Sequence, residues 1–185
     1  MSSAQPLSIL SRSLATLADS SHYLFRSSGL RPLLPGLSAG AFKTLLSRAQ
    51  SAGLLRRVCR GVYLYPHTDY PAGLVLYHTA ALLRSEHFNY LSLESVLSEL
   101  GIISQLPLNW ITLMSSGRSN QVDCREFGTI EFVHTCKLSE NLVDHLVFDT
   151  RYHLWRADKT LALQDMKDTR RSLELVDLEL LDESV

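Results

Sequence analysis

The stretch GLLRRVCRGVYLYP, residues 53–66, sets Arg56, Arg57 and Arg60 around Gly61 and then alternates apolar and aromatic side chains. Leu55 to Val58 and Val62 to Tyr65 each suit a short strand, and Cys59-Arg60-Gly61 suits the tight turn between them, so the stretch reads as a two-stranded hairpin. What precedes it decides what that hairpin belongs to. In SAGAFKTLLSRAQSAG, residues 38–53, Ser38 is placed to cap a helix, and Phe42, Leu45, Leu46 and Ala49 recur at the spacing of one buried face. Opposite that stripe lie Gly40, Thr44, Ser47 and Ser51, with Lys43 and Arg48 on the two flanks. Further upstream, SGLRPLL (28–34) reads as a short helix with Ser28 as its candidate cap, and Pro35-Gly36 makes a turn. Helix, turn, helix, hairpin is the order of a winged helix-turn-helix.

A helix that enters the major groove needs small or polar residues where it meets base edges and cations at its sides where phosphates run. The second helix satisfies both conditions. Ser38, Lys43, Thr44, Ser47 and Arg48 on the helix, with Arg56, Arg57 and Arg60 on the wing, are the expected DNA-binding residues. Six phosphate contacts would give a slope of about −5 in log K against log [salt]. Duplex DNA is favoured over RNA because the basic face lacks the aromatic platform on which single-strand binders stack bases. The competing reading is structural: arginines on a hairpin also form a solvated edge that resists aggregation.

Charge supports the first reading. The formal net charge of the 185 residues is −1, but residues 1–70 hold eight basic side chains against Asp19 and Asp69, a net of +6. The remainder holds 10 basic and 17 acidic residues, a net of −7. A basic module joined to an acidic one suggests a polyanion partner for the first and a different partner for the second. The expected organisation is therefore α+β: a winged helix-turn-helix DNA-binding domain over 1–70, then a mixed α/β domain with a small sheet over 71–185.

Ahead of the winged helix, Leu7, Leu10, Leu14 and Leu17 share a helical face, which favours a folded first helix over a transit peptide. Beyond residue 70, Pro71 opens a helix to about Arg84 that joins the two halves. Tyr90-Leu91 reads as a strand, Ser92 as a cap, and Leu93, Val96, Leu97 and Leu100 as a buried helical face ending at Gly101. Trp110 to Met114 and TIEFVHT, entered through Gly128, read as strands, with HLVFD and YHLW as further extended segments. Asp158 caps a last helix from Lys159. Residues 172–185 hold Glu174, Asp177, Glu179, Asp182 and Glu183 and no base.

Chemistry is not evident in this half. Cys59, Cys124 and Cys136 are odd in number and lack CxxC spacing, and His78, His87, His134, His145 and His153 form no ligand pattern, so neither a metal nor another cofactor is indicated. There is no phosphate loop and no GxSxG. A nuclease of the restriction type would pair Asp123 with Glu131 and a following lysine, but Val133 occupies the lysine position. No enzyme is expected.

The order of features resembles the AbiEi family, antitoxins of type IV toxin-antitoxin pairs. The resemblance rests on GLLRRVCRGVYLYP, then YLSLESVLSELGI, similar to the family's Y-[IL]-S-x-x-S-x-L segment, then GTIEFVHT, and finally ADKTLALQDM, similar to its Ala-Leu-x-Asp helix, and it runs from about residue 22 to 170. It implies a cytoplasmic, nucleoid-associated repressor that binds inverted repeats in its own promoter as a monomer or a DNA-induced dimer, and that counteracts a nucleotidyltransferase-like toxin without a stable complex. The alternative is an interaction module whose acidic half grips a basic toxin directly. The Pro/Leu turn RPLLPGLS and the acidic tail depart from commoner members.

Overall fold

In the computed structural model, residues 5–103, 109–137 and 139–174 are described. Asp177, Glu179, Asp182 and Glu183 of the expected acidic tail lie outside them. The described residues form six α-helices and two sheets, an α+β fold, and the chain divides into two compact units, Met1–Val75 and Leu76–Val185.

The first unit begins with α1 (Pro6–Leu17), where Pro6 occupies the first turn and Leu10 and Leu14 are fully buried. Leu7 is only half-buried and Leu17 is exposed, so the apolar stripe is narrower than its four leucines suggest. A strand not anticipated from sequence, β1 (Leu24–Arg26), leads directly into α2 (Ser27–Leu30). Arg26 occupies the N-cap position of α2, which puts Ser28 inside the helix and corrects its reading as the cap. A 3-10 turn, Arg31–Leu33, and the Pro35-Gly36 turn follow. Then α3 (Ala39–Ser51) starts at Ser38, whose Oγ accepts from Ala41 N at 3.2 Å. Gly53, at φ +71°, turns the chain out of α3. Phe42, Leu45, Leu46 and Ala49 are buried as the spacing requires, against Leu10, Leu14, Phe25 and Leu30.

The first strand of the hairpin lies one residue later than expected, β2 being Arg56–Cys59, whereas β3, Val62–Leu64, starts where expected and ends one residue early, with Arg60-Gly61 at the tip and Gly61 at φ +81°. A bulge between Arg57 and Cys59 adds a residue to β2, which carries the strand on to Cys59 opposite Val62. Two strands are not the whole sheet, because β1 pairs with β3 antiparallel and the order is β1-β3-β2. Ser27 N also donates to Gly61 O at 2.8 Å, tying the wing tip to the start of α2.

The second unit is a six-stranded mixed sheet with helices packed on it. After a 3-10 turn at Ala72–Leu74 comes α4 (Val75–Leu83), then β4 (Asn89–Leu91), α5 (Leu93–Glu99), β5 (Trp110–Ser115), β6 (Asn120–Asp123), β7 (Thr129–His134), β8 (Leu146–Asp149), β9 (Leu154–Ala157) and α6 (Lys159–Asp168). The strand order is β6-β7-β5-β4-β9-β8; β5 with β7 and β4 with β9 are parallel, and the other neighbours are antiparallel. Leu93, Val96 and Leu97 are buried, but Leu100 is 44% exposed, beyond the end of α5.

Ser92 occupies the N-cap position of α5 without capping it through its side chain. Thr112 on β5 does that instead: its Oγ1 accepts from Ser95 N at 3.2 Å, while Thr112 N donates to Ser95 Oγ at 2.8 Å. That frees Ser92 Oγ to donate to Asp165 Oδ2 on α6 at 2.6 Å, where Tyr90 O–H and Lys137 Nζ also converge, at 3.3 and 2.7 Å from Oδ1. Asp165 is completely buried, so its charge is held by these donors.

Candidate nucleic-acid interface

Gly40, Lys43, Thr44, Ser47, Arg48 and Ser51 of α3 are exposed within the first unit, so the helix face opposite the buried stripe is open to solvent there. Between α3 and the wing lies a groove of about 590 Å³, into which Lys43 and Ser47 face from the helix and Arg57, Arg60 and Gly61 from the wing. Arg57 is half-buried, and its Nε donates to Cys59 O at 3.2 Å across the bulge, fixing the guanidinium plane. Arg60 stands exposed at the tip, and Arg56 is exposed on β2. Ser38 is committed to capping α3, which sets where the helix begins.

Thr44 and Arg48 belong elsewhere. They line a separate hollow of about 500 Å³ with Pro6 and Leu7 at the start of α1, on the opposite flank of α3. The expected helix residues therefore divide into a wing-side row, Lys43 and Ser47, and an α1-side row, Thr44 and Arg48, about 100° apart around α3. Thr44 Oγ1 donates to Gly40 O at 3.1 Å and Ser51 Oγ to Ser47 O at 3.2 Å. With its hydrogen so used, the Thr44 oxygen is left to accept, which suits an exocyclic amino group on a base edge.

Among the groove residues outside the sequence-derived set are Gln50 and Arg31. Gln50 completes the row of Lys43 and Ser47 at helical spacing, a signal the sequence does carry. Arg31 carries no such signal: its two terminal nitrogens donate to Leu34 O, at 2.8 Å, and to Leu37 O, and its guanidinium lies 5.3 Å from the Phe42 ring centroid. It locks the turn between α2 and α3 while adding positive charge to the groove wall.

In the second unit, Glu131 and Asp123 make structural contacts. Glu131 accepts from Arg171 Nη2 at 2.7 Å, and Arg171 also holds Glu94; Asp123 Oδ1 accepts from Arg125 N in a turn. The carboxylates considered for a nuclease thus serve an ion pair and a turn. His78 and His153, scattered in sequence, stack with ring centroids 4.4 Å apart. His145 Nδ1 meets the helix-capping Asp158 at 2.7 Å, which raises the imidazole's pKa above its ordinary value. Among the described residues no group of three or more His, Cys, Asp or Glu is placed to hold a metal ion, and no helix is long and apolar enough to cross a membrane.

Residues 12–66 match the family of AbiEi antitoxin transcriptional regulators. The match spans the later part of α1 and every element through the wing, so it falls on the unit that carries the groove. It includes the first of the four segments that carry the family resemblance, and the other three lie beyond it. No curated protein matches the chain.

Proposed function

We propose that this protein is the antitoxin of a type IV toxin-antitoxin pair and the repressor of its own operon. Its AbiEi-type front unit binds inverted repeats in promoter DNA, as a monomer or a DNA-induced dimer at the nucleoid in the cytoplasm, and its back unit counteracts a nucleotidyltransferase-like toxin. The observation that carries the reading is the groove in which Lys43, Arg57 and Arg60 converge from two elements around the polar Ser47. Cations on both walls and a hydroxyl between them match a duplex edge, where phosphates flank readable bases. In this reading Ser38, Lys43, Thr44, Ser47 and Arg48 position and read from the helix, and Arg56, Arg57 and Arg60 engage the backbone beside it. The protein performs no catalysis of its own.

Direct capture of a basic toxin by an acidic face has less support. Glu94, Glu99, Glu131, Asp149, Asp158, Asp165 and Asp168 are all engaged by cations or histidine of the same unit. Four of the acidic residues that make the back half negative are Asp177, Glu179, Asp182 and Glu183.

The deciding experiment is a mobility-shift titration of the upstream DNA at several salt concentrations, with the natural protein and the variant R56A/R57A/R60A. The variant should bind more weakly, and its salt slope should flatten by about 3 per bound chain. Unchanged affinity and slope would overturn the repressor assignment.

A further inference from the structure

We propose that Cys136 is a modification site, a thiol that His134 activates for exchange with low-molecular-weight disulfides. Cys59 and Cys124 are buried, whereas Cys136 is exposed just beyond the end of β7. Its Sγ lies 3.4 Å from Nε2 of His134. The other ring nitrogen, Nδ1, lies 2.9 Å from the carbonyl oxygen of Gly117. A carbonyl oxygen can only accept, so in the neutral ring Nδ1 carries the hydrogen and Nε2 turns its lone pair to the thiol.

The base is held as well as oriented. His134 N donates to Ser119 Oγ at 2.8 Å, and Gly117 N donates to Ser115 Oγ at 3.0 Å. Arg84 pins the same loop: Nη1 donates to Ser115 Oγ at 2.7 Å, Nη2 donates to Arg118 O and Asn120 Oδ1, and the guanidinium lies 4.0 Å from the Phe132 ring centroid. Nucleophile, base and orienting group therefore stand in the relationship that general-base activation of a thiol requires. A hollow of about 390 Å³, walled by Met114, His134, Thr135, Cys136, Lys137 and Asp168, opens beside the sulfur and gives an incoming disulfide room to align.

The exchange closes without another reactant. His134 Nε2 takes the thiol proton as Sγ attacks one sulfur of the disulfide; the new S–S bond forms while the old one breaks. The departing thiolate then takes the proton from Nε2. Cys136 ends as a mixed disulfide, and the other half of the reagent leaves as a thiol, having accepted the electron pair. The adduct sits next to Lys137, which clamps α6 through Asp165 and Asp168 at 2.7 and 2.8 Å.

The test is intact-mass spectrometry and peptide mapping of the native full-length protein incubated with oxidised glutathione. One glutathione should add, on Cys136, and C136S should take up none. H134N, with its fold verified by circular dichroism, should react about tenfold more slowly, a part of what a positioned general base supplies. As a second comparison, Cys136 in the natural protein should react at least about threefold faster folded than in urea, where the pairing with His134 is lost. Absence of an adduct on Cys136, an equal rate in folded H134N, or a rate in urea equal to the native one would each overturn the assignment.

Discussion

Lys137 Nζ lies 2.7 Å from Oδ1 of Asp165, a carboxylate with no exposed surface. Lys137 follows β7 and Asp165 sits inside α6, so this pair ties the sheet to the helix. Breaking a fully buried ion pair costs roughly 3–5 kcal/mol because the remaining charge is stranded. Tyr90 and Ser92 would still donate to Asp165, and Lys137 is partly exposed, so K137M should cost about 2 kcal/mol in urea unfolding. Replacing Asp168, the lysine's exposed partner, should cost well under half of that. Equal losses would show that the buried carboxylate is not what Lys137 stabilises.

Under the proposed function, Thr44 and Ser47 should bear on specificity more than on affinity. T44A and S47A should each lose about 1 kcal/mol on the operator and much less on random DNA, because a hydroxyl on a base edge discriminates while a phosphate contact does not. R57A and R60A should weaken both DNAs alike. Competition binding with operator and random duplexes at one salt concentration separates the two patterns. Since Ser47 faces the wing and Thr44 faces α1, their effects should map to different base positions.

Stability should fall on mild acidification through His78. Burial lowers its pKa from the ordinary value, with the neighbouring His153 acting in the same direction and the bond to Arg151 O, at 2.6 Å, opposing it. A base with a depressed folded-state pKa binds fewer protons folded than unfolded. Its contribution is therefore present above about pH 6.5 and is lost as the pH falls from there towards the lowered value. His145, raised by Asp158, works in the opposite sense: its contribution is present at low pH and lost as the pH rises through the raised value. H78Q keeps a donor for Arg151 O without titrating, so its urea midpoint should change less between pH 7.5 and 5.5 than that of the natural protein. Identical pH dependence in the two would refute the assignment.

Gly128 precedes β7 at φ +115°, and a Cβ there would sit 1.9 Å from Asn109 O, the acceptor for Thr129 N. G128A should cost about 3 kcal/mol, combining backbone strain with displacement of the chain that leads into β5. By contrast, a Cβ at Gly61 meets only Ser27 Oγ, at 3.6 Å. G61A should therefore cost only the conformational term, about 1 kcal/mol. Thermal unfolding of the two variants should rank them in that order.

Much of this molecule was decided by signals that act over a few residues. The 42, 45, 46, 49 spacing and the Ser38 cap fixed α3, Gly61 fixed the hairpin, and Asp158 fixed the start of α6, because a helical face, a cap and a positive φ are each local requirements. The basic character of residues 1–70 was likewise plain from composition alone. What lay beyond reach depends on partners far along the chain. β1 is three residues long, too short for a detectable alternation, and exists because β3 supplies its hydrogen bonds. Which cations share a groove was set by packing α3 against α1 on one flank and the wing on the other, and that packing divided Lys43 and Ser47 from Thr44 and Arg48. Tyr90 and Ser92 reach Asp165 across more than seventy residues, and His134 reaches Gly117 across seventeen. A linear pattern can show that a side chain is polar; only the folded sheet shows which other polar group it was kept to meet.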